Sequence, residues 1–149
     1  MLKFFDIDLS KFISPRAYEE IYQKFTIVEI QESLIILFPG EYQKHLYLIK
    51  SGVVRCYYKA FENEWTNWFA AEGNSIFSIE SFWNNQPSLE YIETCTPVIL
   101  YQISKQDYDQ LLIDFPELHK FSFQLIRSYL IKAEKRMYGL HMLNAYQLI

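Results

Sequence analysis

The chain has 149 residues, half of them hydrophobic, with 18 acidic against 14 basic side chains and a formal net charge of −4. That length suits one domain with a sizeable core, and the acidic balance excludes tight, non-specific nucleic-acid binding, which needs a basic footprint. Twelve Tyr, twelve Phe and three Trp favour sheet, while no apolar run approaches the roughly 20 residues needed to cross a membrane.

Ser14-Pro15 predicts the start of a first helix, with Ser14 as cap and Pro15 at the first helical position. Tyr18, Ile21, Tyr22 and Phe25 follow at helical spacing. From about residue 26 to 103 the residues read as many short strands: 26–29, 33–38, 46–49, 53–58, 65–71, 75–79, 91–94 and 98–103. Between them stand Pro39-Gly40-Glu41, Lys50-Ser51-Gly52, the polar tip Glu62-Asn63-Glu64, Glu72-Gly73-Asn74 and Thr96-Pro97. A turn signal about every eight to twelve residues predicts an antiparallel sandwich or barrel, and Gly52 is free to take positive φ.

Ser104 caps a short helix over about 104–114, with Asp107 in a shortened capping box. Phe115-Pro116 breaks it and opens a long helix over about 116–146, whose single glycine is Gly139. Leu118, Phe121, Leu125, Tyr129, Ala133, Met137, Leu140 and Asn144 step by three or four residues, and Ile126 and Leu130 widen the stripe. About thirty helical residues reach roughly 45 Å, more than a small domain needs to cover its own core. A homodimer seam along Leu125, Tyr129, Ala133, Met137 and Leu140 is therefore expected; the alternative is a helix packed wholly on its own sheet.

The stretch 77–91, FSIESFWNNQPSLEY, carries the chemistry. Mounted on a sheet, this mix lines a small-molecule pocket, or else forms a solvated hairpin with an aromatic plug. Ser78, Glu80, Ser81 and Ser88 are the candidate polar groups. Glu80 reads either as a hydrogen-bond acceptor or counter-charge for a ligand, or as a turn-capping carboxylate. Trp83 stacks on a planar ligand or is core. Arg55 pairs with Glu80 or Glu93, or lies on the surface. Tyr129 closes the pocket from the dimer side or belongs to the dimer core.

Other chemistry lacks its residues. Cys56 and Cys95 form no CxxC pair and lie in apolar runs, as expected of buried free thiols in a reducing cytoplasm. The N-terminus MLKFFDIDLSKF has no cleavable apolar region, so a cytoplasmic protein is expected. Of His45, His119 and His141, only His45 falls among the strands, too few for a metal site of the cupin kind. No GxSxG, HExxH or Walker-type sequence occurs. No enzyme activity, metal or resident cofactor is expected. Lys120, Arg127, Lys132, Lys135 and Arg136 on the long helix read as a solvated face beside the seam, or as electrostatic support for DNA.

Phe38-Pro39-Gly40-Glu41 looks like an xxGE turn, and Leu46-Tyr47-Leu48-Ile49-Lys50-Ser51-Gly52-Val53-Val54-Arg55 like an LYxIxxGxVR strand–turn–strand. With Phe115-Pro116-Glu117-Leu118 at the start of a long helix, the chain from about Pro15 to Tyr146 resembles the cyclic-nucleotide-binding domain of the Crp/Fnr transcription regulators. Thr66-Asn67-Trp68-Phe69, Ser78-Ile79-Glu80-Ser81-Phe82 and Gln86-Pro87-Ser88 resemble a Bacteroidetes-type branch more narrowly. The resemblance implies a mainly β fold, a double-stranded β-helix or jelly roll, followed by a long dimerisation helix. It also implies a small-molecule effector in the roll and a helix-turn-helix beyond Ile149 that reads DNA. A stand-alone dimeric binding or interaction protein is the alternative. The family's phosphate cassette reads Gly-Glu and, about ten residues on, Arg-Ser or Arg-Thr. Its positions fall near Phe77-Ser78 and Ser88-Leu89, and between Ala60 and Lys105 there is no Arg or Lys except that last residue. A cyclic nucleotide presents an anionic phosphate, and burying it unpaired is costly. Weak or absent binding of cyclic AMP and cyclic GMP is expected.

Overall fold

A computed structural model of the chain describes residues 3–4, 7–8 and 11–147, with side chains over 11–142. A short ribbon pairs β1 (Lys3–Phe4) with β2 (Ile7–Asp8). Helix α1 (Pro15–Lys24) follows, its Ala17 N–H donating to the Ser14 hydroxyl at 3.2 Å. Ala17 and Ile21 turn inward, while Tyr22 stays exposed.

Eight strands then build two antiparallel four-stranded sheets. They are β3 (Thr26–Ile30), β4 (Ile35–Leu37), β5 (His45–Ser51), β6 (Val54–Ala60), β7 (Asn63–Ala70), β8 (Ser75–Ile76), β9 (Tyr91–Thr94) and β10 (Val98–Ser104). One sheet has the order β3-β10-β5-β8 and the other β4-β9-β6-β7, so strands distant in sequence become neighbours, as in a jelly roll. Strand periodicity sorts the buried side chains by face: in the first sheet Leu46, Leu48 and Ile103 share one face and Ile49 and Leu100 the other, and in the second Val54, Cys56, Trp68 and Ile92 share a face. Cys56 is buried and Cys95 half-buried, both free thiols.

Two turns depart from the simplest reading of the sequence. The β6–β7 hairpin turns at Phe61 and Glu62, with φ of +54° and +65°, because Ala60 already pairs with Asn63. Two residues at positive φ match the right-handed twist of the strands they join. The run 75–79 stays extended only through Ile76; the chain then winds into a π turn, Ile79–Trp83. Side chains divert its backbone from the ladder: the Ser78 N–H donates to Gln43 Oε1 at 2.8 Å, and the Ser81 N–H to the Ser78 hydroxyl at 3.3 Å.

Helix α2 (Lys105–Asp114) is capped by the Ser104 hydroxyl, which accepts the Asp107 N–H at 3.0 Å. A 3-10 turn, Pro116–Leu118, leads into α3 (His119–Gln147). The helix has two separate apolar faces. Leu118, Phe121 and Leu125 are buried in the chain's own core, and Tyr129 is packed against it. Phe123, Ile126, Leu130, Met137 and Leu140 are exposed, at 63, 36, 63, 55 and 62 %. The seam expected from sequence mixed the two. Leu125, fully buried, and Tyr129, half-buried, belong to the roll; the side chain of Asn144 lies outside those described.

Gly52 joins β5 to β6 at φ +98°, and a Cβ there would meet the Pro97 carbonyl oxygen at 2.5 Å. Gly52→Ala should therefore destabilise the fold by about 1–3 kcal/mol. Gly139, in helix and facing open space, should gain about 0.5–1 kcal/mol on conversion to Ala. Urea midpoints of the two variants check both signs.

Candidate functional site

The stretch 77–91 is held from beneath by one side chain. Gln43, in the connection from β4 to β5, is 2 % exposed. Its amide oxygen takes the Ser78 N–H, and its amide nitrogen donates to the His45 and Ile76 carbonyls at 2.8 and 3.4 Å. Its own backbone N–H donates to the Ser81 hydroxyl at 2.6 Å. The Ser78 and Ser88 hydroxyls lie 3.1 Å apart, and Ser88 Oγ also donates to the Glu90 carbonyl at 2.8 Å. Backbone pairs from Gly40 N–H to Ser88 O and from Ser88 N–H to Glu41 O tie the Pro39-Gly40-Glu41 turn to the same place, both at 2.8 Å. Buried polar groups need partners, and here each hydroxyl finds one within the chain.

Above this network runs a line of aromatic rings. Trp83 meets Phe77 edge-on at 5.6 Å; Phe77 meets Trp68 at 5.3 Å and Tyr129 at 5.6 Å; Trp68 meets Tyr129 at 5.1 Å. The rings join the π turn, through the interior of the roll, to α3. Beside them sits Glu90, which accepts the Asn67 amide N–H at 2.8 Å. Burial pushes the Glu90 carboxyl up from its usual range, and the Asn67 hydrogen bond and the charge of Arg136 work against that rise. Burial and then the Glu90 charge push the Tyr129 phenol up, again opposed by Arg136. Burial likewise drives the Cys56 thiol well up. Interior charge at this junction is thus one carboxylate and one half-buried arginine contributed by the long helix.

The residues singled out from sequence divide into three groups. Ser78, Ser81 and Ser88 come together but are almost fully buried and already partnered. Trp83 and Tyr129 join the aromatic line. Glu80 accepts the Asn84 side-chain amide at 3.1 Å, a side-chain pair across the π turn, whose backbone cap is Ser78. Arg55 is on the opposite face of its sheet from buried Cys56, since strand neighbours alternate. It pairs with Glu93 at 2.8 Å and Glu64 at 3.0 Å and stacks on Tyr57 at 3.9 Å, not with Glu80. Gln43, Asn67, Glu90 and Arg136 escape the sequence reading as site residues. The turn motif lies just before Gln43, Glu90 lies within the stretch 77–91, Asn67 within the Thr66–Phe69 motif, and Arg136 among the basic residues read as a solvated face; none of these signals shows that the four meet. Among the described residues no group of His, Cys, Asp or Glu could hold a metal ion, and no helix is long and apolar enough to cross a membrane.

This arrangement has counterparts of known structure. The Thermus thermophilus catabolite activator protein superposes with a TM-score of 0.71 at 19% identity, over 89% of this chain and 62% of that one. The global regulator CLP of Xanthomonas campestris, described as c-di-GMP responsive, gives 0.71 at 16% identity, over 86% and 65%. A CooA variant from Carboxydothermus hydrogenoformans gives 0.70 at 16% identity, over 100% and 99%. The chain thus spans less than two thirds of the first two. No curated protein sequence matches. Residues 27–114, from β3 to the end of α2, match the model of the cyclic nucleotide-binding domain. With more than half of its length in that match and both sheets in its arrangement, the chain belongs to the cyclic nucleotide-binding domain family.

Proposed function

We propose that this chain is the effector-sensing and dimerising domain of a cytoplasmic Crp/Fnr-type transcription regulator, that it performs no catalysis, and that it does not bind cyclic AMP tightly. DNA is read by a separate helix-turn-helix. The observation that carries this reading is the aromatic line from the π turn to α3. A ligand in the roll must move Trp68, Phe77 or Tyr129, and Tyr129 is part of the long helix. Displacing it shifts the helix against the roll, provided the ligand binds one arrangement better than the other.

The charge at the junction supports the negative half of the proposal. The stretch offers no cation of its own, Arg136 is engaged by Glu90 and Tyr129, and the Glu90 carboxylate repels a phosphate. The second reading, a stand-alone dimeric binding or interaction protein that touches no DNA, is favoured by the ring-filled roll, which has the packing of a core without any ligand.

Dimerisation is supported by the free face of α3. Phe123, Ile126, Leu130, Ala133, Met137 and Leu140 alternate three- and four-residue steps, the repeat of a left-handed coiled coil. Ala133 is half-buried and borders both faces. Leu125 and Tyr129, needed by the roll, take no part.

Calorimetric titration should give no saturable binding at low-micromolar cyclic AMP; saturation there would sink the proposal's negative half. Glu90→Gln should raise whatever weak affinity exists. The same variant should be more stable at neutral pH. A carboxyl whose folded pKa is raised destabilises the fold once pH exceeds its unfolded value. The gain should fade as pH falls through the raised folded-state value and be gone below about 4, where both states are protonated. For the seam, Leu130→Glu with Met137→Glu should sediment as a folded monomer. Leu125→Glu should instead unfold the roll, at a cost of several kcal/mol for a buried unpaired charge.

A further inference from the structure

Glu90 is fixed from three sides at the place where the roll meets α3. Its backbone is pinned by Ser88, whose hydroxyl accepts the Glu90 N–H at 3.1 Å and lies 2.8 Å from the Glu90 carbonyl oxygen. Its side chain is aimed by a β-bulge. Cys56 pairs with Trp68 and Tyr57 with Thr66, so Asn67 has no residue opposite it in the ladder, and its amide donates to Glu90 Oε2 at 2.8 Å. The third side is α3. Trp68 meets Tyr129 at 5.1 Å, and Arg136 stands two turns beyond Tyr129 on the same line of the helix, about 10 Å along it. We propose that Glu90 and Arg136 form a proton-operated catch: the ionised carboxylate holds the second half of α3 against the roll, and its protonation lets that half go.

The groups that face the carboxylate leave it one answering charge. Asn67 from β7 is neutral. Cys56 from β6 and Tyr129 from α3 are pushed up by burial first and by the Glu90 charge next, so both are neutral at physiological pH. Half-buried Arg136 opposes the rise in all three groups. Lys132, one turn before it, is pushed down by burial and then by Arg136 as a like charge. Attraction between partly buried charges is screened less than at the surface. Burial raises the Glu90 carboxyl, so it takes up a proton in milder acid than a solvated glutamate does. Arg136 then keeps the Tyr129 phenol as its partner and loses its counter-charge.

The catch works against the stability of the roll. An ionised Glu90 destabilises the fold through its burial, so Glu90→Gln stabilises the chain as a whole while it deprives Arg136 of the charge that draws it in. Global stability and attachment of the helix therefore respond to one substitution with opposite signs, which a merely structural carboxylate would not give. Met137, next to Arg136, and Leu140 belong to the proposed seam, so protonation loosens its far end. That consequence rests on the proposed dimer; the catch does not.

An NMR titration of the whole chain from about pH 7.5 to about pH 4, across the ordinary carboxyl range, reads the catch directly. The Glu90 carboxyl ¹³C signal, the Arg136 Nε–H signal and the backbone amides over 130–140 should move together, with one midpoint above that of a solvated glutamate. Asn67→Ala removes a bond that favours the charged form, so the midpoint should rise, and Arg136→Gln should raise it as well. Glu90→Gln should abolish the transition and hold the helix amides, at neutral pH, where the unsubstituted chain puts them only in acid, while its urea midpoint rises. Helix amides that titrate independently of the Glu90 carboxyl, or that keep their transition or their neutral positions in Glu90→Gln, would overturn the proposal. So would a midpoint unmoved in folded Asn67→Ala and Arg136→Gln. Every reading comes from one roll and its own helix, so an absent dimer would count against the seam and leave this test decisive.

Discussion

The hydrogen bonds of Gln43 are the constraint on which the rest of the site depends. One side-chain amide, 2 % exposed, holds the π turn through Ser78 and the start of β5 through the His45 carbonyl, while its backbone holds Ser81. In a low-dielectric interior each of these bonds is stronger than in water, and each broken one leaves a buried group unmet. The strand that begins at Ser75 therefore stops after Ile76 and the chain turns where Gln43 requires it. Without that turn Phe77, Phe82 and Trp83 would have no fixed direction, and the aromatic line to α3 would not form.

The turn separates two environments that differ in chemistry. Towards the roll it presents Phe77, packed with Trp68 and Tyr129 close to Glu90 and Arg136. Towards the helices it presents Phe82, whose ring centre lies 6.3 Å from that of Tyr108 on α2.

The long helix is the other shared component. Its buried face is an extension of the roll's core and its exposed face repeats at coiled-coil spacing, so a shift in the first necessarily turns the second. Arg136 links the two through charge, drawn towards Glu90 on the roll side while the neighbouring Met137 lies open. The outward-facing Arg55 cluster with Glu93, Glu64 and Tyr57 is remote from this traffic. Its role is to knit three strands on the outside of the second sheet.

Local chemistry was enough to read the strands, the helices and most of the caps. Ser14 and Ser104 cap where hydroxyls before helical runs do, and Gly52 turns at positive φ. The resemblance carried by the xxGE turn and the long helix pointed to the family. What the sequence could not determine was partnership over distance. That Ser78, Ser81 and Ser88 are partnered within one network with Gln43, that Arg55 pairs with Glu93 and Glu64, and that Arg136 comes within reach of Glu90 all depend on tertiary packing. The two faces of α3 were read as one stripe because three- and four-residue steps describe several adjacent lines on a helix surface. Periodicity gives the spacing of an apolar line, but burial against the roll alone decides that Leu125 and Tyr129 belong to the chain's own core and that Leu130 and Met137 are left facing outward.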